Sequence, residues 1–426
     1  MKYVITFTIF SVLLLAKNEY DDLTWGTGIV ARSASIPYYD PVVIDDTLND
    51  FVPLFYYEDD YVYLHGLTYG FKLYALDNWQ FSALGRVRFL NIPQEYQNEV
   101  QGDTMDYGLR ARYFLYDNQY IDLEVMENPD NSTHANLTYS ANLKYGDLYV
   151  EPHTTLRVKD ATFNTQHYGQ DKEKIKADFD LAAGLDLKYH LWSNFYLIGS
   201  ADINWLGNNV QKSSIIDEDY EYTLMGGFGL LNDKNKKYFD VDGMKPYIRL
   251  AHGWATLSNL EDILIGDIES DDYNNQSTSI FYGHPLSKTF FNLPLEVYLT
   301  PGLAYHYSSE VQESTLEYIL GFKLYYTLPL PDIDMRLGLG EGVSYMDEVI
   351  YIEKSEIEGK GLKPSSLTFY LDVSVDLNLG FLHDDLNPLW IGAAIHHRSS
   401  GFEEVSLFGR LKSGSNYNTV YLQWHF

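Results

Sequence analysis

A serine and a histidine two positions apart, Ser399 and His397, come closest to a pattern that could do hydrolytic chemistry. Side chains along a strand alternate between its faces. In a strand from Leu389, the residues Leu389, Ile391, Ala393, Ile395, His397 and Ser399 therefore share one face. Such neighbours sit about 7 Å apart at Cα, so an imidazole can meet a hydroxyl. A serine nucleophile needs a base within hydrogen-bond reach and an orienting group behind that base. Two residues are candidates for that third role. Asn416 falls on the outer face of the following strand, and Glu341 falls on an apolar phase between Leu339 and Val343. His396 and Arg398 point the other way and are expected to pair with Asp372 or Asp376.

A second set is ionic. Arg86, Arg88, Arg110 and Arg112 alternate along two segments and are expected to face Asp122, Glu124, Asp178 and Asp180 across an interior. Such a set either fills a lumen with ion pairs or forms a charge-selective constriction. Nothing points to a bound cofactor. There is no phosphate loop, dinucleotide fingerprint or Gly-x-Ser-x-Gly elbow, and no histidine spacing suited to a metal. With no Cys, a disulfide scaffold, a thiolate metal site and a cysteine nucleophile are excluded.

The elements that must position these residues have period two. From Ala177 to Leu191, Phe179, Leu181, Ala183, Leu185, Leu187, Tyr189 and Leu191 oppose Asp178, Asp180, Asp186, Lys188 and His190. Ser366 to Leu379, Ala135 to Tyr145 and Leu316 to Leu328 repeat the pattern. These runs exceed the usual strand of about 5–6 residues. They suit tilted membrane-spanning strands of about 9–11 residues with extensions. Tyr145, Tyr189, Trp192, Tyr325, Tyr326, Trp390 and Trp424 lie at strand ends, where amphipathic rings favour the headgroup zone.

The connections alternate short and long. Turns such as Asp117-Asn118, Gly146-Asp147 and Ser193-Asn194 contrast with the polar stretches 91–103, 159–176, 207–219, 258–278, 347–364 and 400–414. Outer-membrane barrels have short periplasmic turns and long extracellular loops. Residues 1–16, with Lys2 ahead of the apolar run Val4 to Ala16, are expected to be a signal peptide. No later stretch has 18 apolar residues, which excludes a helical membrane protein. The net charge of -30, from 60 acidic and 30 basic residues, argues against a nucleic-acid partner.

The expected fold is therefore all-β: antiparallel transmembrane β-barrels in a bacterial outer membrane, in contact with lipid and lipopolysaccharide. The rhythm gives about twelve strands, then about eight. The break falls in a polar segment, 232–243, between units 17–231 and 244–426. Either two tandem barrels or one large barrel fits. Val420, Leu422, Trp424 and Phe426 share a face of the last strand, as in the terminal strand of outer-membrane barrels.

The first unit resembles the MipA/OmpV family of MltA-interacting outer-membrane proteins over about residues 23–231. The resemblance rests on Trp25-Gly26-Thr27-Gly28, Leu54-Phe55-Tyr56-Tyr57-Glu58, Leu64-His65-Gly66-Leu67 and Gly85-Arg86-Val87-Arg88-Phe89, then Tyr168-Gly169, the run Asp180 to Tyr189, Trp205-Leu206-Gly207-Asn208 and Tyr222 to Leu231. It implies a scaffold at the envelope that links a lytic transglycosylase and a penicillin-binding protein, without catalysis. The second unit, through its outward His397-x-Ser399, is similar to lipid A 3-O-deacylase (PagL-type) barrels. That resemblance implies His397 as base and Ser399 as nucleophile against an acyl ester. The family places a Glu at the start of the last strand, whereas this chain reads Lys412-Ser413-Gly414-Ser415-Asn416. Asn416 or Glu341 would have to replace it. A narrow solute pore is the third reading.

Overall fold

The computed structural model describes residues 25–39, 47–92, 103–233, 240–331, 333–359, 364, 366–399 and 414–426. The signal-peptide segment, residues 234–239 of the polar break and loop 400–413 lie outside them. Two compact units divide between Lys236 and Lys237.

The first unit is one closed antiparallel ring. Its strands are β1 (Trp25–Ser35), β2 (Thr47–Glu58), β3 (Val62–Gly66), β4 (Thr68–Leu76), β5 (Trp79–Phe89), β6 (Asp103–Tyr116) and β7 (Gln119–Glu127). They continue as β8 (Thr133–Ala141), β9 (Leu143–Tyr145), β10 (Leu148–Lys159), β11 (Asp178–Trp192), β12 (Phe195–Trp205) and β13 (Tyr220–Leu231). β1 pairs with β13, and β10 pairs with both β8 and β11, so no edge remains. The expected strand from Ala135 to Tyr145 is interrupted. At Asn142 the backbone N–H turns to the Asn118 carbonyl, 2.7 Å away. β8 and β9 thus make one stave, and thirteen strands give a twelve-staved barrel. Closure matters physically because each unpaired backbone group in hydrocarbon costs several kcal/mol.

The second unit is a closed barrel of eight strands. They are β14 (Tyr247–Thr256), β15 (Gln276–Ser287), β16 (Leu295–His306), β17 (Thr315–Leu328), β18 (Met335–Met346), β19 (Leu367–Asn378), β20 (Leu389–Ser399) and β21 (Gly414–His425), and β14 closes on β21. The chain is thus two barrels, not one large one. Among the described residues, no helix is long and apolar enough to cross a membrane.

Alternation sorts the side chains. On β18, Leu337, Leu339 and Tyr345 face outwards, while Arg336 and Ser344 are buried inside. An eight-stranded barrel has an interior that side chains can fill. Here Tyr247, Tyr298 and Tyr325 form one inner cluster. Gly283 lies against the Tyr247 ring, so an added Cβ would collide with it. Tyr145, Tyr189, Trp192 and Trp424 are exposed at strand ends. Two expected girdle residues turn inwards instead. Tyr325 is fully buried, and the Trp390 ring packs on Arg336, 4.1 Å from its guanidinium carbon. Strand ends alternate like strand middles, so an aromatic there serves lumen or lipid according to its phase.

Candidate functional site

Three places gather polar chemistry: the lumen of each barrel and the outer wall of the second.

The second lumen is filled. Asp372 binds Lys323 and, at 2.5 Å, Arg249. Asp376 takes Arg336 at 2.7 Å. His396 was expected to reach one of these acids. It lies instead 3.0 Å from Glu317, which also holds His306 at 2.8 Å. Arg398 likewise takes Glu353 at 3.1 Å, on helix α3 (Tyr351–Gly359). The reason is register. Asp372 is level with His396 but is already neutralised by two cations, leaving Glu317 as the acid within reach.

On the outer wall, His397 and Asn416 are register partners on β20 and β21. His397 Nδ1 donates to Asn416 Oδ1 at 2.6 Å. Asn416 Nδ2 donates in turn to the Ser258 carbonyl at 2.9 Å. That chain fixes the direction: the amide oxygen must accept, so Nδ1 carries the proton and Nε2 keeps its lone pair. Ser399 follows on the same face, paired with Gly414. A Cβ on Gly414 would lie 3.3 Å from His397 Cε1, so the glycine leaves room for the ring at the level of Ser399. Glu341 is on the outer face but apart. It is level with Leu371, which is level with His397, so two strand spacings of about 4.8 Å separate the carboxyl strand from the imidazole strand. Asn416 is thus the residue in contact with the histidine, and Leu371 stands between it and Glu341.

The first lumen is a cavity of about 1010 Å³. Arg86, Arg88, Arg110 and Arg112 all line it. Arg86 takes Glu124 through bonds of 3.0 and 2.9 Å, and Arg88 takes Asp106 through bonds of 2.7 and 3.0 Å. Arg112 takes Asp122 through bonds of 2.7 and 2.8 Å. Two-point guanidinium–carboxylate pairs of this kind are the strong ones. Asp178 and Asp180 do not join them. Asp180 holds Lys159 at 2.6 Å, and Asp178 accepts from the backbone N–H of Asn209.

An apolar cap packs at the long-loop end of this barrel. It contains Phe163 of helix α1 (Ala161–His167), Val210 of helix α2 (Asn208–Gln211), and Tyr38, Ile92, Tyr168, Ile175, Leu206 and Ile216 from the connections. Asp160 starts α1 by accepting from the Phe163 N–H at 2.6 Å. Tyr38 donates to the His167 carbonyl at 2.6 Å. Cations support the underside: Arg88 lies 4.4 Å from the Phe163 ring centre and Lys159 lies 4.3 Å from that of Tyr168. Burial, then the Arg88 charge, pushes the His167 imidazole well below its usual range. His167 Nδ1 then accepts from Arg88 at 2.7 Å. Above the cap edge, the hydroxyls of Ser214 and Ser213 and the Ser214 N–H donate to Glu173 and hold its pKa below the usual carboxylate value. Burial, reinforced by Glu221, raises that of Tyr38.

The sequence pattern did not reveal the cap, because its residues are scattered over four connections. Among the described residues, no group of three or more His, Asp or Glu side chains is placed to hold a metal ion.

Several solved structures resemble the chain weakly. A bacterial polysaccharide outer membrane secretin is 10% identical, with 95% of this chain and 100% of that one covered and a TM-score of 0.24. The FrpB iron transporter from Neisseria meningitidis is 8% identical, with 98% and 84% covered and a TM-score of 0.26. LpxR from Salmonella typhimurium is 10% identical, with 69% and 89% covered and a TM-score of 0.20. No curated protein matches the chain. Residues 35–230, which make up nearly all of the twelve-staved barrel, match the family model of the MltA-interacting protein MipA.

Proposed function

We propose that this is an outer-membrane protein of the cell envelope whose first barrel acts as a non-enzymatic scaffold. Its short-turn end faces the periplasm and engages murein-processing enzymes, a lytic transglycosylase and a penicillin-binding protein. The observation that carries this reading is the family match over residues 35–230, since the family's name describes an interaction with MltA. The cap favours it over a solute pore, because packed apolar side chains at the long-loop end suit a filled barrel better than an open channel.

The test is binding between the full chain in detergent micelles and a purified lytic transglycosylase. Saturable binding is expected. It should weaken at least tenfold when the turns at Asp117-Asn118, Gly146-Asp147 and Ser193-Asn194 are replaced together. An absence of saturable binding by the intact protein sinks the scaffold reading.

One observation favours a second activity. The bond from His397 to Asn416 gives the imidazole an orienting partner and leaves Nε2 free on the face that carries Ser399. The reading is an acyl-ester hydrolase acting on lipid A, with Ser399 as nucleophile, His397 as base and Asn416 as its orienter. Mass spectrometry of lipid A from cells expressing wild type or Ser399→Ala decides it. Loss of one acyl chain with wild type alone supports the hydrolase. Asn416→Asp should then raise the rate, because a carboxylate stabilises the imidazolium better than an amide. Unchanged lipid A with a folded wild-type protein removes this reading.

A further inference from the structure

The first lumen carries charge that its own pairing leaves over. On the wall formed by β5 to β8, the carboxylates of Asp106, Glu124 and Asp122 are each engaged through two hydrogen bonds by Arg88, Arg86 and Arg112. Two guanidiniums remain. Arg110 comes only to 3.9 Å from Asp122, which Arg112 already holds. It is 6% exposed, and its Nε has no hydrogen-bond partner. Arg157 donates from Nε to Asn136 at 3.0 Å and, among the described residues, has no ion pair. The two share one transverse row of the sheet: Arg157 is level with Asn136, Asn136 with Glu124, and Glu124 with Arg110. Both line the cavity.

The opposite surplus lies nearer the short-turn end. Glu151 and Asp186 are register partners on β10 and β11, and Asp202 stands on β12. His153 lies 2.9 Å from Asp202 and 3.6 Å from Asp186. Lys188 is 4.6 Å from the Tyr56 ring centre instead of on a carboxylate. The Asp186 and Asp202 side chains remain 51% and 39% exposed, to the lumen. From the short-turn mouth inwards, the order is therefore carboxylates, then incompletely paired guanidiniums, then the cap. On β10 the levels of His153 and Glu151 are four and six residues from Arg157, or about 13–20 Å at ~3.3 Å per residue.

We propose that the lumen of the first barrel binds a zwitterionic peptide of about four to six residues, entering at the short-turn end. Its terminal carboxylate is held by Arg110 and Arg157. Its α-ammonium is held by Asp186 and Asp202. An extended chain rises about 3.3–3.6 Å per residue, which sets the length. The cavity lies at the upper end of the range for small-molecule pockets, roughly 300–1,000 Å³. The inference stands apart from the murein-enzyme reading, because it rests on charge order and volume alone.

The test is isothermal titration of the full chain in micelles with tetra-alanine, its C-terminal amide and its N-acetyl form. Tetra-alanine should bind saturably, and each blocked form should bind at least tenfold more weakly. Arg157→Gln and Arg110→Gln should weaken tetra-alanine and remove the penalty for amidation. Asp186→Asn should remove the penalty for acetylation. Arg157→Lys, which keeps the charge, should retain the preference for the free carboxylate. Absence of saturable heat with tetra-alanine overturns the proposal, as does equal affinity for all three peptides. Sensitivity to amidation alone overturns it too, leaving a plain anion site. The three-peptide comparison on wild type decides the matter even if an arginine variant fails to fold.

Discussion

Asp122 shows how tightly the first lumen is balanced. It neutralises Arg112 through two bonds and is the nearest acid to Arg110. Asp122→Ala therefore strands one guanidinium and isolates a second. Leaving buried polar groups unsatisfied costs about 1–3 kcal/mol, and more where charge is involved. The variant should lose that much in a urea unfolding titration from micelles, whereas Asp117→Ala, at the turn, should lose less than about 0.5 kcal/mol.

His167 gives the pH dependence its sign. Its folded value is depressed, while an unfolded imidazole titrates near 6.5. Below about pH 6.5 the unfolded chain takes up a proton that the folded cap refuses. Stability from this group is thus complete above that pH and is lost as the pH falls. Hydrogen exchange of residues 161–168, corrected for intrinsic rates, should show more frequent opening at pH 5 than at pH 7.5. His167→Gln should shrink the difference.

At this scale the sequence was informative about faces and silent about partners. Period two put Arg86, Arg88, Arg110 and Arg112 in the lumen, as found. It could not tell that Asp180 belongs to Lys159, or that Arg398 belongs to Glu353, because those choices depend on strand stagger and on a helix folded into the barrel mouth.

The cap is the element whose removal should change behaviour most. α1 has only seven residues, too few to show a helical period, and it is held by Asp160 at one end and by packing of Phe163 beneath. Phe163→Ala should cost about 3 kcal/mol of local stability through the cavity it leaves. Deleting residues 161–176 should convert a barrel that is silent in planar bilayers into one with steady conductance. Steady conductance by the intact protein would contradict a plugged lumen. Most of the strands were readable, since they are long and alternate, unlike the short β3 and β9. The exceptions are Asn142, where a polar backbone contact outweighs the alternation, and Tyr325 and Trp390, which turn into the second lumen.

For the molecule as a whole, twelve and eight staves each satisfy their own backbone hydrogen bonds by closing. A closed barrel needs no neighbour for that purpose. Residues 237–426 expressed alone should therefore fold in micelles and show the heat-modifiable gel mobility of an intact barrel. Failure of this half to fold would mean that its stability is borrowed from the first. The alternation could count staves but left open whether they formed one ring or two. That depends on whether β13 returns to β1, a pairing 200 residues apart that local pattern cannot encode.

A tube entered from one end only has a kinetic character of its own. Whatever enters it leaves by the same mouth, in reverse order, and incoming molecules must wait for the occupant to depart. Throughput is then irrelevant, and residence time becomes the property that mutations can tune.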